Sequence, residues 1–162
     1  MPKITRDDVE LAYEIYGDGP PVMLIQGVGV PGSGWRPQVD ALSDTFTLLT
    51  NDNRGIGAST LGKQLSIEKM AEDIQALMDH QGWDSAHVVG HSMGGVIAQQ
   101  VALNSPHRVR SLGLLCTFVR GKDALRPSWP IIWSTIGGRI GSRPMRRRAF
   151  MGMILTKEER QT

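Results

Sequence analysis

The hydrophobic positions of this chain form short runs that alternate with segments of helical spacing. The first run, Val9–Tyr16, alternates apolar and polar residues, which is typical of a half-buried strand, and Ile4 is expected in its hairpin partner. Residues 22–25 and 46–50 are almost continuously apolar, as in strands covered on both faces of a parallel sheet. A glycine-bearing loop follows each of these two runs, which indicates close approach of the backbone to another group.

Segments of helical periodicity lie between the apolar runs. Residues 36–42 are predicted to form a short helix. Residues 67–78 repeat apolar side chains on one helical face, with Ser66 as a suitable N-cap and Gly82 as the terminating residue. The chain therefore alternates strand and helix in its first half.

The second half continues this alternation with a strand over residues 86–90, a helix that stops before Pro106, and a strand over residues 109–118. Such a pattern favours an α/β fold, in which a doubly wound, mostly parallel sheet carries helices on both faces. The ligand site of such a sheet lies at the carboxyl ends of its strands. We expect the two glycine-bearing loops to converge there.

Residues 88–97 hold the pattern Gly-x-Ser-x-Gly between a β-branched apolar run and a segment of helical spacing. This pattern predicts a nucleophile elbow, where a serine in a strained strand-to-helix turn needs small residues two positions before and after it. Gly90 and Gly94 fill those positions around Ser92. The Met93 N–H would then lie at a helix N-terminus, where it can stabilise an oxyanion. An incidental serine in a glycine-rich turn is the alternative, and the flanking strand and helix favour the elbow.

Charge divides the chain into two parts. With 162 residues, 40% of them hydrophobic, the chain is long enough for one domain with a core. Residues 1–119 contain 8 Lys and Arg against 13 Asp and Glu, whereas residues 120–162 contain 10 against 3. This asymmetry predicts a core over residues 1–119 and a different unit over residues 120–162.

Several classes of protein are disfavoured by composition. No long uncharged apolar stretch occurs, and Met1-Pro2-Lys3 leads directly into charged residues, so we expect a cytoplasmic protein without a membrane span. The single cysteine, Cys116, cannot form an internal disulfide. Because it lies in an apolar run, we expect a small core residue rather than a reactive thiol.

Three motifs in order make residues 9–118 resemble the α/β-hydrolase fold superfamily. Gln26-Gly27, with the glycine-rich loop as far as Trp35, is similar to the family's oxyanion loop, where a His-Gly pair is usual. The pattern Asp-x-Arg-Gly-x-Gly-x-Ser over residues 52–59 and Gly-His-Ser-Met-Gly-Gly over residues 90–95 match two further signatures. The likeness is greatest to the esterase, enol-lactonase and cofactor-free haloperoxidase branch. It implies a sheet that is truncated after about the sixth strand and followed by the start of a helical cap.

The resemblance implies that Ser92 is the catalytic nucleophile and that the backbone N–H groups of Val28 and Met93 form the oxyanion hole. It implies no cofactor and no metal. Gln26 replaces the usual histidine, which leaves main-chain donors intact but can change the loop and the entry to the site. Serine at the elbow also argues against the haloalkane dehalogenase and epoxide hydrolase branches, which use aspartate there. The glycines expected to support the elbow and the loop are Gly27, Gly90 and Gly94.

A general base is missing from the family's usual position. The family's chain order is serine, then acid, then histidine, yet no histidine follows His107. His91 is adjacent to the nucleophile in sequence, so its side chain should point away from the serine. His107 is expected on a loop at the opposite end of the sheet, and His80 and His87 are expected to be structural or exposed. None is a credible base, although a serine hydroxyl needs one.

The acid is also missing from its usual place. Asp123 follows the last recognisable strand and is a weak candidate, because some lipases of this fold carry their acid there, whereas a charged residue in a connection is the alternative. Asp52 matches the family's loop signature, and there we expect a structural carboxylate that holds Arg54 and nearby backbone groups.

Residues 120–162 interleave large apolar residues with arginines. In the family, a helical cap that covers the site begins at this point, so we interpret the segment as the start of that cap. A basic amphipathic segment could alternatively bind nucleic acid or an anionic membrane surface. We favour the cap because nothing upstream is basic.

These observations predict a serine hydrolase that acts on a small carboxylic ester or lactone by acyl transfer through Ser92, with the triad's acid and histidine not present in this chain. A perhydrolase or haloperoxidase-like activity of the same site is the runner-up among enzymes. The alternative from another class is a truncated or pseudo-hydrolase that binds a small acyl ligand or a protein partner. If the chain is complete, its exposed sheet edge predicts a homodimer, pairing with a missing partner, or marginal stability; otherwise we expect a missing C-terminal portion.

Overall fold

A computed structural model of the chain describes residues 1–119, which form one sheet with helices packed on it. The strands are β1 (Lys3–Arg6), β2 (Val9–Tyr16), β3 (Pro21–Ile25), β4 (Thr47–Asn51), β5 (Ala86–His91) and β6 (Val109–Leu115). The helices are α1 (Arg36–Leu42), α2 (Ile67–His80) and α3 (Met93–Asn104), and short 3-10 turns span Gly32–Trp35 and Pro106–Arg108. The predicted unit over residues 120–162, with its cap, lies outside the described residues.

The six strands are ordered β1-β2-β4-β3-β5-β6 across the sheet. β1 and β2 pair antiparallel with their neighbours, whereas β4, β3, β5 and β6 run parallel to one another. Every connection between parallel strands therefore crosses over the sheet through helical structure, as parallel pairing requires. The predicted α/β fold with a mostly parallel sheet is confirmed.

Alternating side chains of the central strand β3 point into two separate hydrophobic clusters. Met23 and Ile25 pack in one cluster with buried residues of α2 and α3. Val22 and Leu24 pack in the other, with Val39 of α1. Since the two sets lie on opposite faces of the strand, the helices cover both faces of the sheet. The continuous apolar run that predicted this strand is the sequence pattern of a strand buried on both sides.

Local signals account for the ends of α2. The Ser66 side chain accepts a hydrogen bond from the Lys69 N–H at 3.2 Å, which caps the first turn as predicted. Gly82, just beyond the last turn, adopts a φ of 68°, a left-handed conformation that glycine enters without a steric penalty. The predicted bounds of α1 match the structure residue for residue.

The strand β6 is shorter than predicted, and its surroundings differ from those expected. It ends at Leu115 because Cys116 turns to a φ of 47°. The expectation that Cys116 is a core residue is wrong, since its side chain is exposed. Leu112 and Leu114 are also exposed, and β6 pairs only with β5 among the described residues. An apolar run therefore predicted the strand correctly, but not the burial of its residues.

An ion pair lies buried where α2 meets the loop after β4. The Arg54 guanidinium donates to both carboxylate oxygens of Asp73, with its Nη2 at 2.8 Å from Oδ1, and both side chains are almost completely buried. Arg6 of β1 donates to the same carboxylate at 3.0 Å. The hydrogen bonds to Asp73 raise the pKa of Arg54, so the guanidinium keeps its charge in this buried place. The pair joins the loop that bears Arg54 to the core.

Among the helices of residues 1–119, none combines the length and apolar character needed to cross a membrane.

The change Asp73→Asn is expected to lower the free energy of unfolding by roughly 3 kcal/mol, because it leaves the buried Arg54 charge without its partner. Urea denaturation of the variant and of the parent chain would measure the difference. Asp79→Asn on the same helix is the matched control: its ion pair with Arg108 is largely exposed on the carboxylate side, so we expect a loss below about 1 kcal/mol. Equal losses in the two variants would contradict the role given to the Arg54–Asp73 pair.

Stability is expected to depend on Glu72 in acid. The side-chain hydrogen bonds from Lys69, and then from Arg6, hold the pKa of Glu72 below its ordinary value of 4.5. A carboxylate with a lowered folded-state pKa stabilises the fold above its unfolded pKa, and this contribution disappears as the pH falls through the folded value. Between about pH 5 and pH 3 the variant Glu72→Gln should therefore lose less stability than the parent chain, by under about 1 kcal/mol because the side chain is partly exposed. Parallel curves of unfolding free energy against pH would contradict this expectation.

Candidate active site

Ser92 occupies the single residue between β5 and α3, where the chain turns sharply from strand to helix. Its φ of 54° and ψ of −119° place a non-glycine residue in a strained region of backbone space. Such conformations cost about 1 to 3 kcal/mol and persist only where the surrounding structure enforces them. The predicted strand-to-helix turn is therefore present, and its strain is centred on the predicted serine.

Close packing explains the glycines on both sides of this turn. A methyl group added to Gly90 would lie 2.2 Å from the Gly94 carbonyl oxygen, and one added to Gly94 would lie 2.2 Å from the Ile25 carbonyl oxygen. Both distances are far below van der Waals contact. No side chain larger than hydrogen fits at either position, which is the physical basis of the Gly-x-Ser-x-Gly pattern here.

The end of β6 holds the Ser92 backbone on both sides. The Ser92 N–H donates to the Leu115 carbonyl at 2.9 Å. The Ser92 carbonyl accepts two hydrogen bonds, from the Gly95 N–H at 3.0 Å and from the Thr117 hydroxyl at 2.6 Å. Thr117 is not recognisable from the sequence, because nothing in the residue itself indicates a contact with a turn 25 positions away.

The loop that follows β3 lies directly against Ser92. A methyl group added to Gly27 would lie 3.0 Å from Ser92 Cβ and 3.5 Å from Ser92 Oγ. Val30 N–H donates to the Gly27 carbonyl at 3.4 Å, and Gly29 has a φ of 72°, so residues 27–30 form a turn with Val28 at its first corner. The predicted convergence of this loop with the elbow is thus observed.

Gln26, at the position where the family usually has histidine, is buried and links the loop to its neighbours. Its side-chain carbonyl lies 3.2 Å from the Gly27 nitrogen and 3.3 Å from His91 Nδ1. Its backbone carbonyl accepts a hydrogen bond from Asn53 Nδ2 at 2.8 Å. The His91 ring also packs edge-on against Trp35, with centroids 6.5 Å apart. The Gln26 side-chain amide therefore contacts both Gly27, in the loop, and His91, the residue before Ser92.

Asp52 organises the backbone of the second loop. Its carboxylate accepts hydrogen bonds from the Gly32 N–H at 2.7 Å and from the Ala58 N–H at 2.8 Å, which ties the loops after β3 and β4 together. The expectation that Asp52 holds backbone groups is therefore confirmed. The expectation that it holds Arg54 is wrong, because Arg54 turns into the buried ion pair with Asp73.

The two predicted oxyanion donors are backbone N–H groups that take part in no hydrogen bond with another of residues 1–119. Met93 is the first residue of α3, so its N–H belongs to the unsatisfied first turn and carries the positive end of the helix dipole. Val28 N–H is not used by the turn over residues 27–30. Neither donor is occupied by another of residues 1–119, and the roles of Val28 and Met93 stay predictions.

None of the four histidines makes a hydrogen bond to the Ser92 hydroxyl. His80 contacts the Tyr13 hydroxyl at 3.1 Å, and His87 contacts the Ser111 hydroxyl at 2.7 Å. His91 contacts Gln26, and His107 lies in the 3-10 turn after α3, at the end of the sheet away from the elbow. The weak acid candidate, Asp123, lies outside the described residues. Residues 1–119 therefore contain a strained serine and two unoccupied backbone N–H donors. No histidine among these residues is placed to accept the proton of the Ser92 hydroxyl.

Residues 1–119 contain no group of three or more His, Cys, Asp or Glu side chains arranged to hold a metal ion.

Comparisons with known proteins agree with this geometry. The model of a protein family described as the alpha/beta hydrolase fold matches residues 20–144. A protein of Azorhizobium caulinodans named "Putative carbamate hydrolase RutD" is 39% identical over 129 residues, which cover 78% of this chain and 48% of that protein. A protein of Mycobacterium tuberculosis named "Putative non-heme bromoperoxidase BpoC" is 40% identical over 111 residues, covering 67% of this chain and 42% of that protein.

Among solved structures, the enol-lactonase from Burkholderia xenovorans LB400 superimposes with a TM-score of 0.76 and 27% sequence identity, covering 99% of this chain and 62% of that one. The chain spans about half the length of the curated relatives that it matches. Because the family model covers most of the chain and the elbow and both loops lie where the motifs predicted them, the chain belongs to the alpha/beta hydrolase fold family.

Proposed function

We propose that Ser92 is the nucleophile of a serine hydrolase that acts on a small carboxylic ester or lactone. The observation that carries this proposal is the strained Ser92 backbone at the start of α3, with Gly27 packed against its side chain. Backbone strain of this kind is concentrated at functional sites. A purely structural turn would have no need to place a serine at this point.

The reaction would follow acyl transfer. Ser92 Oγ would attack the substrate's carbonyl carbon, and the Val28 and Met93 N–H groups would stabilise the resulting oxyanion. Collapse of this intermediate would expel the alcohol and leave an acyl-enzyme, which water would hydrolyse to the acid. The general base and the acid that orients it would come from residues outside this sequence, because the histidines of residues 1–119 are engaged elsewhere or distant.

The names of the relatives support an acyl substrate. One relative is named as a carbamate hydrolase, and one structural neighbour is an enol-lactonase. Carbamates and lactones share a carbonyl carbon bonded to a heteroatom leaving group, so one nucleophile and one oxyanion hole serve both. The two backbone N–H donors recognise the carbonyl oxygen, which esters, lactones and carbamates share. We propose an ester or lactone because one structural neighbour is an enol-lactonase.

A second candidate is a protein that binds a small acyl ligand or a partner without turning it over. It is favoured by one specific observation: among residues 1–119, no side chain accepts a hydrogen bond from the Ser92 hydroxyl. A serine without a base is a weak nucleophile. The two candidates differ in whether Ser92 reacts.

When the residues that supply the base are present, exposure of the protein to a fluorophosphonate is expected to give a single covalent adduct at Ser92, because the probe requires an activated serine and an oxyanion hole. Intact mass and peptide mapping would locate the adduct. Ser92→Ala should abolish it, whereas Ser111→Ala, which removes an exposed hydroxyl on β6, should leave it unchanged. A protein that includes the residues proposed to supply the base, is folded by circular dichroism and is still unlabelled would contradict the hydrolase proposal and favour the binding protein.

The change Gly27→Ala is expected to slow labelling at least tenfold and to lower the free energy of unfolding by roughly 1 to 3 kcal/mol. The added methyl group would lie 3.0 Å from Ser92 Cβ and 3.3 Å from the His91 carbonyl oxygen, and neither can retreat from the strained turn. Rates of fluorophosphonate labelling, compared with free energies of unfolding in urea, would separate the two effects. Unchanged labelling in the alanine variant would show that the space beside Ser92 is not used.

A further inference from the structure

We propose that Thr117 is a positioning residue for the oxyanion hole, and that it acts through the peptide group between Ser92 and Met93. The inference rests on the proposed function of Ser92. It assigns a role to a hydroxyl that lies outside the three motifs, two residues beyond the end of β6. Thr117 would not touch the substrate; it would orient a group that does.

The peptide group connects the Thr117 contact to the oxyanion donor. The Thr117 hydroxyl donates to the Ser92 carbonyl at 2.6 Å, a short bond for two neutral groups. That carbonyl and the Met93 N–H belong to one planar trans peptide and point in opposite directions. Fixing the direction of the carbonyl therefore fixes the direction of the N–H. A hydrogen bond accepted by the carbonyl also polarises the amide and strengthens its N–H as a donor.

This peptide lacks the support that the rest of the helix receives. Met93 N–H has no carbonyl of α3 to bond to, because it lies in the first turn. The Ser92 side chain makes no capping hydrogen bond, and the Ser92 backbone is in a strained conformation. The carbonyl is held from within the helix only by Gly95 N–H, at 3.0 Å. A second anchor from the end of β6 thus restrains the orientation at the position where the proposed chemistry needs it.

The packing around Thr117 fixes its hydroxyl. A methyl group added to Gly95 would lie 2.5 Å from both Cβ and Oγ1 of Thr117 and 2.7 Å from its Cγ2. The threonine side chain therefore fills the space that Gly95 leaves open. A β-branched side chain packed in this way has few alternative rotamers, which keeps the hydroxyl aimed at the carbonyl. Gly95 is not demanded by the Gly-x-Ser-x-Gly pattern, and its contact with Thr117 accounts for it.

A threonine with only a structural role would affect stability when it is substituted, and not the Met93 N–H. Without the Thr117 hydroxyl, the Ser92 carbonyl still accepts from Gly95, so no buried carbonyl is left unpaired and a large loss of stability is not expected. What would be lost is the direction and polarisation of the Met93 N–H. The variant Thr117→Val keeps the packing and removes the hydroxyl, whereas Thr117→Ser keeps the hydroxyl and removes a methyl group.

The test compares the parent chain with these two variants, using isotopically labelled protein and a fluorophosphonate probe. In Thr117→Val we expect the amide nitrogen resonance of Met93 and the carbonyl carbon resonance of Ser92 to move upfield, and the labelling rate at Ser92 to fall about tenfold, the effect of one neutral hydrogen bond. Thr117→Ser should restore both the resonances and the rate. Free energies of unfolding in urea would show that the three chains are folded.

The outcomes separate this inference from the function on which it rests. If the parent chain is labelled and Thr117→Val is labelled at the same rate, the positioning role is overturned while the hydrolase proposal stands. If Thr117→Ser behaves like Thr117→Val, the methyl group and not the hydroxyl matters, and the inference is again overturned. If the parent protein is not labelled with the residues that supply the base present, the hydrolase proposal fails. Unchanged Met93 and Ser92 resonances in Thr117→Val would then also overturn the proposal that Thr117 orients the peptide group between these residues.

Discussion

The strained backbone of Ser92 is the constraint on which the rest of this structure depends. A residue with these dihedral angles is unfavourable in isolation, so each neighbouring element has to enforce it. The end of β6 supplies two hydrogen bonds, α3 supplies one, and glycines allow the backbone to pass at distances that exclude side chains. The parallel sheet is what brings these elements together. Its carboxyl edge is where the Ser92 turn is held and where the Val28 and Met93 N–H groups make no hydrogen bond with another of residues 1–119.

Much of the fold could be predicted from the sequence because its signals are local. The period of apolar residues, the Ser66 cap and Gly82 defined α2, and continuous apolar runs identified the parallel strands. The predictions that were wrong concern the environment of a residue, which depends on contacts distant in sequence. Cys116 looked like a core residue because its neighbours are apolar, yet it lies where β6 ends, and Arg54 pairs with a helix residue 19 positions later instead of with Asp52.

The features of the candidate site likewise fall into local ones, which the sequence predicts, and contacts distant in sequence, which it does not. Steric requirements within a few residues, such as the glycines around Ser92, leave a recognisable pattern. The parts that adjust the site come from elsewhere: Asn53 holds the Gln26 carbonyl, and the Thr117 hydroxyl reaches the Ser92 carbonyl. These residues are of common types and have no fixed spacing from the elbow, so no sequence motif identifies them. The missing base follows the same rule, since a histidine that serves a catalytic serine is its neighbour in space and not in sequence.

The hydrogen bonds from the end of β6 also set an order of assembly. Ser92 and Thr117 are 25 positions apart, and the whole of α3 lies between them. During synthesis, β5 and the first turns of α3 can emerge from the ribosome before β6 exists. In that interval the hydrogen bonds that hold the strained Ser92 backbone to Leu115 and Thr117 are absent. The hydrogen bond between the Ser92 N–H and the Leu115 carbonyl, and the one from the Thr117 hydroxyl, require the chain that follows α3 to lie beside β5. Until that pairing, the nascent chain carries the Gly-x-Ser-x-Gly motif without the two hydrogen bonds that reach Ser92 from Leu115 and Thr117.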